Sequence, residues 1–141
     1  MRSPIDVFIS STCYDLVDLR AELALHLKDN GFMVRISEDR DSAFRVDPTA
    51  DTIGSCLSNI SSSDIVVCII SQKYGSLLEH GDYQGKSAVH AEILHAWEHE
   101  KPVFFFVRNR ALDEFYQLQR DAQYKTRWVE AHDDDEIERK Q

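Results

Sequence analysis

The spacing of apolar residues changes along the chain, and each change marks a predicted element. Residues 5–9, Ile-Asp-Val-Phe-Ile, form a short β-rich run. From 15 to 30 the period becomes helical, with Leu16, Leu19, Leu23 and Leu27 on one face. Asp15 is placed to cap this helix or to sit in its first turn, and Asn30-Gly31 is a strong stop. Residues 32–37 make a second strand, and the polar stretch 38–48 makes a loop. A weaker helix is expected over 49–62, where Ile53, Leu57 and Ile60 are spaced four and three apart. Residues 65–71 are a continuous β-branched run, the pattern of a strand buried on both faces of a parallel sheet.

The stretch 72–86 holds three glycines and little periodicity, and reads as a loop. A third helix is predicted over 87–101, with Val89, Ile93, Ala96 and Trp97 as its apolar stripe. Pro102 then introduces a fourth strand, 103–107, and residues 111–124 are helical. The last segment, 125–141, extends that helix, holds a short strand at 127–129, or frays as an acidic tail. Strand–helix alternation of this kind predicts an α/β fold: a parallel sheet of four or five strands in the order 2-1-3-4, with right-handed crossovers and helices on both faces. Residues 1–124 are expected to form the domain. Ligands of such sheets sit beyond the carboxyl ends of the strands, which nominates the loops at 10–12, 38–40 and 71–75.

Composition narrows the function classes. At 141 residues the chain is long enough for one domain with its own core. Sixteen Lys and Arg against 25 Asp and Glu leave a net charge of −9. Such a surface is a poor fit to non-specific nucleic-acid or anionic-membrane binding, so neither is expected as a partner. No apolar run is long enough for a membrane span, and Asp6 interrupts what would be the apolar region of a signal peptide. Cys13, Cys56 and Cys68 have no metal-like spacing, and an odd count without a secretory signal implies a reducing, cytoplasmic setting.

Chemistry-bearing residues are few. Ser10-Ser11-Thr12 ends a strand and opens a helix, where hydroxyls and free N–H groups suit a phosphate or ribose, or simply cap the helix. Neither a dinucleotide fingerprint nor a P-loop is present. Glu92 falls at the flank of the third helix's apolar stripe, where a carboxylate is either partly desolvated beside a ligand or an ordinary surface acid. His95 and His99 share its side of the helix, but no fourth metal ligand is evident. Tyr74, in Lys73-Tyr74-Gly75, either caps the core or stacks on a base.

Several stretches together resemble one family. Val7-Phe8-Ile9-Ser10-Ser11-Thr12-Cys13-Tyr14-Asp15-Leu16, with Arg20 after it, is similar to the opening of a TIR-like family long catalogued only as a domain of unknown function. Ser63-Asp64-Ile65-Val66-Val67 with Lys73-Tyr74-Gly75, and 85–93 with Ala96 and Lys101-Pro102-Val103, match further parts of it. His90 stands where the family often has glutamate, and Glu100 where it usually has glycine. The resemblance implies a flavodoxin-like sheet and two functional alternatives. One is hydrolysis of the nicotinamide–ribose bond of NAD+, with NAD+ as substrate, no cofactor and no metal. Glu92 would then be catalytic. Ser10, Ser11 and Thr12 would contact phosphate or ribose, and Glu38 and Ser87 would also bind the substrate. Arg40 or Arg45 would meet the pyrophosphate, and Tyr74 or Phe44 would stack on a ring. A nucleoside-deoxyribosyltransferase-like hydrolase would keep Glu92 and change the substrate. The other alternative is a non-catalytic self-association module. The resemblance further implies self-association on activation, sensor, NTPase or repeat domains in a longer parent chain, and a part in bacterial anti-phage defence.

Overall fold

The computed structural model describes residues 3–12, 16–37 and 51–131. Its elements are β1 (Asp6–Ser10), α1 (Val17–Asp29), β2 (Met33–Arg35), α2 (Thr52–Ser62), β3 (Ile65–Ile70), α3 (Ala88–Glu98), β4 (Val103–Val107), α4 (Asn109–Arg120) and α5 (Ala122–Ala131). The strands form one parallel sheet in the order β2-β1-β3-β4. This is the predicted topology, with the β-branched run 65–70 at the centre.

Alternation along the two central strands sorts the core onto the two faces. Phe8 and Val66 pack with Cys56, Ile60 and Ala96 of α2 and α3. Ile9 and Val34 pack with Ala24 of α1 on the other face. At the amino edge, Arg35 donates through Nε and Nη2 to the Asp6 carboxylate at 2.8–3.0 Å, and through Nη1 to Asn59 Oδ1 at 3.0 Å. These bonds tie β2, β1 and α2 together.

Two helices turn differently from their sequence pattern. In α1 and the residue before it, the inward row is Leu16, Arg20 and Ala24, while Leu19 is 44% exposed. Leu23 and Leu27 pack only from the side. The buried guanidinium of Arg20 is therefore on the face that a leucine count assigns elsewhere. In α3 the buried residues are Ala91, Glu92 and Ala96, and Trp97 is 56% exposed against an edge-on Phe105. The stripe is displaced because Ala91 and Ala96 let the helix lie close to the sheet, carrying Glu92 inward with them.

The end of the chain also departs from the simplest reading. Asp121 breaks the helix into α4 and α5, its carboxylate accepting the N–H groups of Gln123 and Tyr124 at 2.9 and 3.0 Å. Residues 127–129 are helical rather than a strand, and Trp128 is buried. Among the described residues no fifth strand covers β4, so Phe104, Phe105, Phe106 and Val107 are all exposed.

Glu100 has φ = 55°, the left-handed conformation that glycine adopts without steric penalty. This explains why the resembling family places glycine there. A left-handed non-glycine residue costs about 1–2 kcal/mol, partly offset by the greater unfolded-state freedom of glycine. Glu100→Gly is therefore expected to stabilise the fold by up to about 1 kcal/mol. Thermal unfolding checks this: Tm rises by a few degrees, and a fall contradicts the assignment.

Candidate functional site

The site is built where β1 and β3 end beneath α3. Ser10 and Cys68 are register partners on the two central strands. Both side chains lie on the α3 side, where Glu92 comes down in the helix's second turn. Ser10 Oγ donates to Glu92 Oε2 at 2.7 Å. Ser10 is 1% exposed and Glu92 7%, so the carboxylate is largely withdrawn from water. Behind them, the Cys68 thiol is pushed up to about 12, first by burial and then by the charge of Glu92. It stays protonated at neutral pH and is no nucleophile.

The turn after β1 is fixed from below. Arg20 Nη1 donates to the Ser11 carbonyl at 3.0 Å and to Ser11 Oγ at 2.5 Å. Both residues are buried, and of the three hydroxyls at 10–12 only that of Thr12 lies in a partly exposed residue. Gly75, at φ = 97°, brings the loop after β3 onto this turn. A Cβ there would lie 3.7 Å from Ser87 Cβ and 3.8 Å from Thr12 Cγ2. Ser87 caps α3 by accepting the His90 N–H at 3.2 Å. The Tyr74 hydroxyl lies 2.5 Å from His90 Nδ1 and accepts the Ser87 N–H at 3.4 Å.

A cavity of about 450 Å³ opens beside this cluster, at the carboxyl ends of β3 and β4 and between α3 and α4. Thr12, Tyr74, Ser87 and His90 line it, whereas Ser10 and Glu92 do not. The structure thus gathers Ser10, Ser11, Thr12, Tyr74, Ser87 and Glu92 at one end of the sheet. Glu38, Arg40, Phe44, Arg45 and Cys13 lie outside the described residues. His95 turns away from Glu92. Its Nε2 lies 2.8 Å from Ser61 Oγ, and its ring stacks on His99 at 4.0 Å. Among the described residues no group of three or more His, Cys, Asp or Glu could hold a metal ion. Nor is any helix there long and apolar enough to cross a membrane.

Sequence reasoning did not single out two residues of this site. Arg20 appeared only as part of a motif, and its role under the turn depends on the helix rotation described above. Cys68 lies in an apolar run, and only the strand register puts it against Ser10.

The two histidines on α3 give a pH dependence. His90 is held below its ordinary value by burial and then by Lys86, and His95 by burial and then by His99. A lowered folded-state value means that the unfolded chain binds protons more readily. The associated stability is fully present above the unfolded value, about 6.5, and is lost as pH falls through the folded values. Denaturant unfolding at pH 7 and pH 5 should show a smaller acid loss for His90→Asn/His95→Gln than for wild type. Equal losses contradict the assignment.

Comparison with known proteins agrees with this architecture. The TIR domains of the activated Roq1 resistosome, which directly recognizes the pathogen effector XopQ, superpose with a TM-score of 0.58 at 18% identity. The match covers 96% of this chain and 78% of that one. At that identity it shows a shared fold. No curated protein matches the sequence. The family model described as a domain of unknown function, DUF4062, matches residues 6–140. The chain belongs to the DUF4062 family, and its fold is that of a TIR-like module.

Proposed function

We propose that the domain hydrolyses the N-glycosidic bond of NAD+, releasing nicotinamide, with Glu92 as the catalytic carboxylate. The observation that carries this reading is the Ser10–Glu92 pair: a buried carboxylate held at 2.7 Å at the carboxyl edge of a parallel sheet, where such folds bind ligands. The C1′–N bond breaks with its electron pair passing to nicotinamide, which leaves neutral. Positive charge develops on the ribose C1′ and ring oxygen, as in other glycoside cleavages. A carboxylate in a water-poor setting stabilises that charge more strongly than one in solvent. Water then adds to C1′ and releases its proton to solvent, giving ADP-ribose.

Within this scheme Ser10 is a positioning residue, because its hydroxyl is spent on Glu92. Thr12 and the backbone of the turn held by Arg20 are the groups presented to ribose or phosphate. Arg40 or Arg45 is assigned to the pyrophosphate and Phe44 or Tyr74 to a ring, following the resemblance. The same resemblance suggests an effector role in anti-phage defence, within a longer protein that clusters the domain. The test is to incubate the purified chain with NAD+, free and clustered on beads, and to quantify nicotinamide. Release that rises faster than linearly with concentration is expected. No release even when clustered removes the hydrolase reading.

A second reading, a self-associating module, is favoured by β4. Among the described residues no strand pairs with its outer edge, and Phe104 and Phe106 are 52% and 59% exposed. An exposed apolar edge is a template for pairing. Antiparallel pairing of two copies about Phe105 would set Val103 against Val107 and Phe104 against Phe106. Phe104→Lys/Phe106→Lys should then abolish concentration-dependent dimers in sedimentation, and unchanged dimerisation contradicts this edge as the contact.

A further inference from the structure

The cavity between α3 and α4 shares Thr12 and Tyr74 with the groups assigned to NAD+, but neither Ser10 nor Glu92 lines it. Its body is apolar, built from Ile70 and Val107 at the strand ends, Ile93 on α3, and Leu112, Phe115 and Leu118 on α4. Its volume of about 450 Å³ is that of a small-molecule site. The polar residues of its lining come mostly from the loop after β3 and the first turn of α3, so they form a collar at one end.

That collar offers donors and positive charge. The Tyr74 hydroxyl accepts the Ser87 N–H at 3.4 Å, and its oxygen lies 2.5 Å from His90 Nδ1. The His90 ring lines the cavity beside this hydroxyl. Lys73 also lines it and has no ion-pair partner among the described residues. The acid on the wall, Glu114, is already engaged at both oxygens. Gln72 Nε2 donates to Oε2 at 3.0 Å and Trp128 Nε1 donates to Oε1 at 2.7 Å.

An apolar body under a collar of donors and one ammonium matches a ligand of opposite design. We propose that this cavity binds a small amphipathic carboxylate, with its acyl or aryl body between α3 and α4 and its carboxylate at Lys73 and His90. Such a ligand touches Ile93, which neighbours Glu92 in the chain, and Thr12, two residues beyond Ser10. Its occupancy is therefore placed to report on the Ser10–Glu92 pair without replacing it.

The experiment is an amide NMR titration of the full chain with sodium octanoate and sodium 1-naphthoate, which separate acyl from aryl sources. Acetate and 1-octanol serve as head-only and body-only controls. Saturable shifts are expected at residues 69–74, 87–93 and 107–118 with at least one carboxylate. Octanol should bind about tenfold more weakly than octanoate for want of a charge-assisted hydrogen bond, and acetate should cause no saturable shift. Lys73→Ala should weaken octanoate about tenfold and leave octanol unchanged. Ala111→Phe, which fills the cavity, should abolish both. Lys73 is exposed, so its variant keeps the test valid if Ala111→Phe does not fold. The proposal is overturned by absence of shifts up to about 10 mM, a scale of very weak affinity. It is equally overturned by shifts confined to 103–107, by octanol binding as well as octanoate, or by an unaltered affinity in Lys73→Ala.

Discussion

Glu92→Gln lowers nicotinamide release from NAD+ by about a hundredfold or more, equivalent to about 2.7 kcal/mol of barrier. Glutamine keeps the size of the side chain and an oxygen that accepts the Ser10 hydroxyl, but it removes the negative charge that faces the developing cation. The carboxylate is only 7% exposed, so little water screens its field and the loss of charge is felt strongly. Tm should stay close to wild type, because the hydrogen bond to Ser10 survives and packing is unchanged. Ser10→Ala provides the companion result. It leaves the charge and removes the anchor, so kcat falls by about tenfold, the worth of one hydrogen bond to a charged group, while KM changes little. A Glu92→Gln protein with wild-type turnover removes the catalytic assignment.

Arg20→Ala has the largest expected effect on stability. The guanidinium is 2% exposed and satisfies the buried carbonyl and hydroxyl of Ser11. Removing it leaves those acceptors without their donor and empties the space of its aliphatic stem. Orphaned buried polar groups cost about 1–3 kcal/mol, and the lost packing adds to this. A total of about 3 kcal/mol and a Tm drop of about 10 °C are expected for a chain of this length. Arg20→Lys restores the charge but only part of the hydrogen bonding, and should fall in between. A loss below about 1 kcal/mol in equilibrium unfolding contradicts the role assigned to Arg20.

The sheet was legible because its signals are local. The run at 65–70 has the unbroken apolar character of a central parallel strand, and Asn30-Gly31 marks the end of α1, with Gly31 at φ = 87°. Glu92 was legible in part. A helical wheel puts it at the flank of the apolar stripe, and the small residues Ala91 and Ala96 turn that flank into a buried position. Arg20 was not legible as a buried group. Its place in the inward row of α1 depends on the Ser11 acceptors, which come from a different element. Val103–Val107 was legible as a strand, but its exposure was not, because burial depends on neighbours that the strand's own sequence does not reveal. The cavity likewise depends on where α4 lands against β3 and α3, a tertiary fact with no periodicity of its own.

The most direct test of the central claim is a crystal structure of the chain with a non-hydrolysable NAD+ analogue. The account predicts the ribose next to nicotinamide within about 3 Å of a Glu92 carboxylate oxygen, with the Ser10–Glu92 hydrogen bond kept. An analogue bound with that ribose away from Glu92 contradicts it.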